Sequence, residues 1–131
     1  MSPQRIQMSR QHPWRVDHRD AVIVARPSKW GNDWRVTSWQ PERGVTRWSV
    51  WSTQNGETYS QHATRESAIA DAIERFRADI AHRAPDLTPI RGRDLACWCP
   101  LDQPCHADVL LELANVPTTT DARVRAAGGE R

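Results

Sequence analysis

Three cysteines and a histidine lie together at Cys97, Cys99, Cys105 and His106, and these are all the cysteines that the 131-residue chain contains. The segment reads as a short apolar strand over Leu95–Cys99, then a loop, then the start of a helix. Alternate side chains share one face of a strand, so Cys97 and Cys99 are expected to point the same way. The short loop returns the helix start over the strand end, which predicts a compact site of sulfur and nitrogen ligands.

Three interpretations of this cluster remain open from the sequence. The four residues would complete a tetrahedral zinc site, although the spacing is not the usual Cys-x₂₋₄-Cys and adjacent helical residues diverge by about 100°. Alternatively, a Cys105 thiolate favoured by the helix N-terminus and by His106 would act as a nucleophile or redox group. Asp108, Asp102 and Glu112 offer acid or base groups on that side. In the third interpretation the cysteines are small buried residues and His106 is a surface or capping residue.

A second polar segment follows the continuous apolar run Ala21–Arg26, which predicts a buried strand. Ligands of open α/β sheets bind beyond the carboxyl ends of the strands. If this strand and the cysteine strand are parallel neighbours, their loops line one pocket, in which Trp30 stacks on a base and Asn32 reads its edge. An ordinary polar turn is the alternative. The candidate binding residues are Arg26, Ser28, Lys29, Trp30 and Asn32.

The middle of the chain predicts a small sheet backed by a helix. Alternation over Trp34–Trp39 and Val45–Thr53 indicates two strands, with turn residues over Gln40–Gly44. Asn55-Gly56 is typical of a type I′ hairpin turn, with positive φ at both residues, and a short strand is expected at Glu57–Ser60.

Two helices are expected. Thr64 is the predicted N-cap of an amphipathic helix that runs to about Arg83, with Asp71 and Arg75 on its solvent side. The second helix is predicted to begin after a cap at Asp102 or Gln103. Its predicted buried stripe consists of Val109, Leu110, Leu113 and Ala114.

Charge is unevenly distributed along the chain. Residues 1–47 hold nine Lys or Arg against four Asp or Glu, whereas residues 48–131 hold nine against twelve. The N-terminal part is therefore the part expected to attract phosphates.

No stretch approaches the roughly 20 apolar residues of a membrane span. An odd number of clustered cysteines and the lack of an apolar leader favour a cytoplasmic protein, in the host cytoplasm if a phage encodes it.

These patterns predict one α/β or α+β domain over residues 21–116. It is expected to contain a small mixed β-sheet, a Trp-rich hairpin and two principal helices. A basic arm over residues 1–20 and a disordered tail over residues 117–131 are expected to flank it.

Two sequence runs resemble the hallmark motifs of the domain of unknown function 4326 family, found mostly in bacteriophages and actinobacteria. They are RPSKWGN at Arg26–Asn32 and RGRDLACWCPLDQPCHADVL at Arg91–Leu110. Ala107 stands where the family usually has Gly, and Asp33-Trp34 stand where it has Pro-Phe. The resemblance covers about residues 4–116. It implies a small phage or bacterial protein and no particular reaction.

The leading hypothesis is a nucleotide- or nucleic-acid-directed protein whose Cys/His cluster binds zinc or supplies a reactive thiolate. The site would be shared with the Arg26–Asn32 loop, and its candidate catalytic residues are Cys105, His106 and Asp108. The alternative is a non-enzymatic module of a bacteriophage that binds DNA or a host protein. It would use the basic arm and the Trp-rich sheet, which is broadly similar to the arm-binding domains of phage integrases. Its phosphate contacts would be Arg35, Arg43 and Arg47.

Overall fold

The computed structural model describes residues 3–115, which form two three-stranded sheets and two α-helices. The predicted α/β class is confirmed, although the strands form one parallel and one antiparallel sheet instead of a single mixed one. The tail predicted over residues 117–131 lies outside the described residues.

The elements are β1 (Arg5–Gln7), β2 (Val22–Ile23), β3 (Trp34–Glu42), β4 (Val45–Ser52), β5 (Thr58–His62), α1 (Arg65–Arg83), a 3₁₀ turn (Thr88–Ile90), β6 (Leu95–Cys97) and α2 (His106–Ala114).

The parallel sheet has the order β1-β6-β2, and both outer strands run parallel to β6. The central strand is buried along its whole length, as expected for a parallel strand covered on both faces. The strand predicted over Ala21–Arg26 is confirmed but shorter, and Val24 continues it by donating its N–H to the Ala96 carbonyl at 2.9 Å. All three strands therefore end at the same edge of the sheet, where the two hallmark loops begin.

Strand β1 lies in the segment predicted as a basic arm. Arg5–Gln7 pair with Leu95–Cys97, and the Met8 N–H extends the ladder to the Cys97 carbonyl at 2.7 Å. Ile6 and Met8 are buried in the main core. Residues 5–8 thus help to build the sheet that carries the cysteines.

The antiparallel sheet has the order β3-β4-β5 and packs one face on α1. Pro41 lies where the β3–β4 register shifts, a place in a sheet that tolerates the missing N–H. The predicted type I′ turn at Asn55-Gly56 is wrong, because Gly56 has a positive φ of 75° and Asn55 does not. Instead the Asn55 side chain accepts the Glu57 N–H at 2.9 Å, and the loop is longer than two residues.

Helix α1 is the element that the sequence predicts best. Thr64 is the N-cap, and its side chain accepts the Ser67 N–H at 3.1 Å. The helix ends at Arg83, before Ala84 in the left-handed region and Pro85. Its buried residues are Ala68, Ala72, Phe76 and Ile80.

The expected solvent position of Asp71 on this helix is wrong. Its carboxylate is only 25% exposed, accepts a hydrogen bond from Ser60 Oγ, and lies 3.1 Å from His62 Nε2 and 3.2 Å from Arg75 Nε. Burial by itself would raise the pKa of Asp71, but the hydrogen bonds from Ser60, His62 and Arg75 outweigh it and hold the pKa below its usual value. This network fastens β5 to α1.

Replacing Asp71 with asparagine is expected to lower the free energy of unfolding at pH 7 by about 1–3 kcal/mol. Because the folded-state pKa is depressed, the carboxylate contributes stability above its unfolded-state pKa, and that stability is lost as the pH falls through the folded-state value. The difference between variant and wild type should therefore shrink between pH 5 and pH 3 in urea titrations. Glu74→Gln on the exposed face is the control, and a difference independent of pH would contradict this assignment.

Candidate metal centre

The three cysteine sulfurs converge at the carboxyl edge of the parallel sheet. Cys97 ends β6, Cys99 follows in the next turn, and Cys105 precedes α2. All three Sγ atoms lie within 4.8 Å of one another, and the Cys97 and Cys105 Sγ atoms are 3.1 Å apart. Cys97 and Cys105 are buried and Cys99 is half-buried, and all three are free thiols. The predicted proximity of these side chains is confirmed.

Cys105 is itself the N-cap of α2, so the caps predicted at Asp102 or Gln103 are wrong. Its backbone is extended, with φ −149° and ψ 152°, and its side chain accepts the Ala107 N–H at 3.5 Å. In return, the Asp108 carboxylate accepts the Cys105 N–H at 3.1 Å, which completes a capping box. Since Cys105 is not helical, the expected divergence of Cys105 and His106 does not apply.

His106 lies beside Cys105 in the core. Its Nδ1 is 3.6 Å from the Cys105 Sγ, and its Nε2 is 2.8 Å from the Val24 carbonyl oxygen. The ring also packs edge-on against Phe76, with 5.1 Å between ring centroids. The carbonyl can only accept, so the Nε2 carries a proton, and in the neutral ring Nδ1 keeps a lone pair on the side of Cys105. The ring is not part of the group of atoms that all lie within 4.8 Å of one another.

The three thiols share their protons unequally. Hydrogen bonding with Cys105 and Cys99, together with burial, raises the pKa of the Cys97 thiol far above its usual range. Hydrogen bonds from Cys105 and Cys97 lower the pKa of the Cys99 thiol, and the positive charge of Arg5 adds to this effect. The thiolate form is therefore favoured at the half-buried Cys99 over Cys97.

Arg5 holds the loop between Cys99 and Cys105, a role that the sequence did not reveal. Its side chain is only 8% exposed although it belongs to the first strand. The guanidinium donates to the Asp108 carboxylate at 3.3 Å and to loop carbonyls at 2.6–3.1 Å. Those carbonyls belong to Pro100, Leu101 and Gln103. The alternation of Arg5 and Gln7 with the apolar Ile6 and Met8 is the signal that could have indicated a strand here.

In the Arg26–Asn32 loop, the two side chains predicted to contact a base, Trp30 and Asn32, are engaged within the fold. Trp30 is buried, with the Lys29 Nζ 4.8 Å from its ring centroid. The Asn32 side chain is used within the fold, since its Oδ1 accepts the Trp34 N–H at 2.9 Å. A base therefore has no open Trp30 face on which to stack in this conformation. His106 contacts the carbonyl oxygen of Val24, just before this loop, so the two loops begin side by side.

Arg26 and Ser28 line a shallow surface depression together with Pro27, Asp33 and Arg35. None of the cysteines lines that depression. Gly31 packs directly against Arg26, because a Cβ at this position would lie 2.2 Å from the Arg26 Cγ and 3.0 Å from its Cα. Close packing of the loop against Arg26 thus explains the glycine in the Trp-Gly-Asn run.

The remaining acidic candidates have structural partners or face solvent. Asp108 belongs to the capping box and pairs with Arg5. Glu112 forms a bidentate salt bridge with Arg77 on the exposed side of α2, with N–O distances of 3.0 and 3.2 Å. Asp102 is exposed in the loop that precedes α2.

Fold and site together define a small mixed α/β protein with a cysteine triad between a parallel strand and a helix N-terminus. Residues 6–116 match the model of the Domain of unknown function (DUF4326), and the chain belongs to that family. The resemblance predicted from the two hallmark motifs is therefore confirmed. No curated protein and no solved structure matches the chain. Within residues 3–115, no helix is both long and apolar enough to cross a membrane.

Proposed function

We propose that Cys97, Cys99 and Cys105 bind a zinc ion at the carboxyl edge of the parallel sheet. The observation that carries this proposal is the convergence of three sulfurs within 4.8 Å of one another. Sulfurs bound at about 2.3 Å to a tetrahedral zinc lie roughly 3.8 Å apart. Cys97 and Cys105, at 3.1 Å, would therefore need only a small outward movement.

His106 is the proposed fourth ligand, through Nδ1. A nitrogen and a sulfur on the same tetrahedral zinc lie roughly 3.6 Å apart, and the Nδ1 to Cys105 Sγ distance is 3.6 Å. Ligating histidines commonly donate their other ring N–H to a carbonyl, as Nε2 does here to Val24. Coordination would draw the ring towards Cys97 and Cys99.

Four protein ligands make a closed site, which is the arrangement of structural zinc. In this role the ion fixes the loop from Trp98 to Pro104 against β6 and α2. We further propose that the edge so fixed serves recognition of a nucleotide or nucleic acid, shared with the Arg26–Asn32 loop. Two features support this: both loops follow parallel strands of one sheet, where α/β proteins bind ligands, and His106 joins them through Val24.

Metal content by mass spectrometry tests the proposal, on protein purified without a metal-affinity step. We expect about one zinc ion per chain, from the one tetrahedral ligand set. Metal-free protein in which Cys105 or Cys99 alkylates rapidly at neutral pH would contradict zinc binding and favour the reactive-thiolate interpretation. Metal-free protein with slow alkylation would leave the triad as core packing.

A second candidate function is DNA binding by the antiparallel sheet, favoured by one observation on its outer face. Arg35 lies opposite Trp51, and Trp39 lies opposite Arg47. Trp34 and Val50, which precede Arg35 and Trp51 in sequence, pack towards α1. Because successive side chains of a strand point to opposite faces, the two cross-strand pairs lie on the face away from the helix. Cations beside aromatic rings suit nucleic-acid backbones and bases.

For this candidate, Arg35→Ala and Arg47→Ala should each weaken duplex DNA binding and reduce the slope of log affinity against log salt by about one. Fluorescence anisotropy at several salt concentrations is the measurement. DNA affinity that does not change with salt would contradict this function.

A further inference from the structure

Trp98 is the exposed aromatic residue of the cysteine site. It lies between Cys97 and Cys99 in sequence and is 50% exposed, whereas Trp30 of the neighbouring loop is buried. The guanidinium of Arg10 lies 5.6 Å from the centroid of the Trp98 ring. Arg10 follows β1, so both side chains are at the carboxyl edge of the parallel sheet.

We propose that Trp98 and Arg10 form a binding site for an unpaired nucleobase and its phosphate, beside the cysteine triad. Trp98 provides the stacking surface and Arg10 provides the phosphate contact. The inference rests on the proposed function and gives it a ligand class and two recognition residues.

The exposed Trp98 ring is the first argument for this site. Half of a large aromatic side chain faces solvent, and Leu101 in the same loop is 59% exposed. Covering this apolar surface with a flat ligand would contribute favourable binding energy. A base offers a flat face of the right kind, and stacking tolerates any base because every base has a π-face. Paired bases hide those faces, so the expected ligand is unpaired.

The position of Arg10 is the second argument. Arg10 is an exposed residue, and its guanidinium lies over one face of the Trp98 ring, so a base would stack on the other face. A base that stacks on the ring would bring its phosphate within reach of the same guanidinium, which binds phosphate well. Leu101 of the same loop as Trp98 lines a surface depression, together with Trp14 and Asp17, that has room for a sugar or a second base.

The cysteines explain why this site would be rigid. The residues on both sides of Trp98 are proposed zinc ligands, so metal binding would fix the backbone on either side of the ring. A preorganised aromatic residue loses little conformational entropy when a ligand stacks on it. Zinc removal by a chelator should therefore weaken ligand binding without removing either recognition residue.

Binding is tested with a fluorescein-labelled single-stranded oligothymidylate of about 15 nucleotides, a typical site size, using anisotropy. The same strand annealed to its complement and free thymidine monophosphate, followed by NMR, are the two other probes. Trp98→Ala should weaken single-strand binding by between about fivefold and a hundredfold, whereas Trp98→Phe should retain most of it. Arg10→Ala should reduce the salt slope by about one. A monophosphate that shifts the Trp98 indole signal would identify a free nucleotide as a sufficient ligand.

Tyr59→Ala is the matched control, because Tyr59 is a similarly exposed aromatic residue, at 47%, on the other sheet and outside both proposed binding sites. Equal binding by wild type and Trp98→Ala would overturn the inference, as would loss in Tyr59→Ala alone. Zinc content measured on the same samples separates the two claims. Zinc-loaded wild type that binds none of the probes contradicts this inference and the proposed recognition role while the metal proposal stands, whereas zinc-free protein whose binding depends on Trp98 contradicts the metal proposal alone.

Discussion

Zinc is expected to be lost from the Cys105→Ser variant, together with at least about 3 kcal/mol of folding stability, because structural zinc sites contribute about 10–16 kcal/mol of apparent binding energy. Serine is a good N-cap, so the bond that Cys105 accepts from Ala107 would be kept in the variant. The substitution therefore removes a sulfur ligand while the helix start stays capped. Thermal unfolding and metal content on the same sample are the measurements.

Wild-type protein treated with a strong zinc chelator is the matched control for this variant. Its thermal unfolding should then resemble that of untreated Cys105→Ser, and the chelator should have little effect on the variant. If the variant kept both the zinc and the stability of the wild type, the assignment of Cys105 as a ligand would be wrong.

The second large effect is expected at Arg5. Arg5→Ala should weaken zinc binding by about 10- to 100-fold, the usual effect of removing a group that orients metal ligands. The reason is that Arg5 binds three carbonyls of the loop between Cys99 and Cys105, and also Asp108 of the capping box. Without it the loop loses its attachment to β1, and the cysteines lose a nearby positive charge.

Competition with a chromophoric chelator measures this zinc affinity. Arg5→Lys should recover only part of it, because an ammonium cannot span several acceptors as a guanidinium does. Arg43→Ala, in the exposed β3–β4 turn, is the control and should bind zinc as the wild type does. Equal zinc affinity in Arg5→Ala and Arg43→Ala would show that the Arg5 contacts do not support the site.

Local patterns predicted the parts of the fold that local physics determines. The apolar period of α1 and its Thr64 cap were sufficient to define that helix, because helical hydrogen bonds connect near neighbours. The predicted approach of Cys97 and Cys99 is confirmed, although β6 ends at Cys97 and Cys99 lies in the turn that follows, not in the predicted strand over Leu95–Cys99.

Local patterns were less informative where distant segments meet. Strand β1 has only three residues, and its partner β6 begins 90 residues further along the chain, at Leu95 opposite Arg5. The alternation of Arg5 and Gln7 with Ile6 and Met8 is too short to predict such a strand without knowledge of its distant partner. For the same reason the role of Arg5 was not predicted, and Trp30, expected to stack on a ligand, is buried in the core instead. The cap at Cys105 was not expected because thiols seldom take that role.

X-ray absorption at the zinc edge, on protein loaded with one zinc ion, tests the proposed metal site most directly. We predict three sulfur neighbours at about 2.3 Å and one nitrogen at about 2.0–2.1 Å, with the nitrogen contribution lost in His106→Ala. A first shell made of oxygen and nitrogen alone, unchanged in Cys105→Ser, would contradict the assignment of Cys97, Cys99 and Cys105 as zinc ligands.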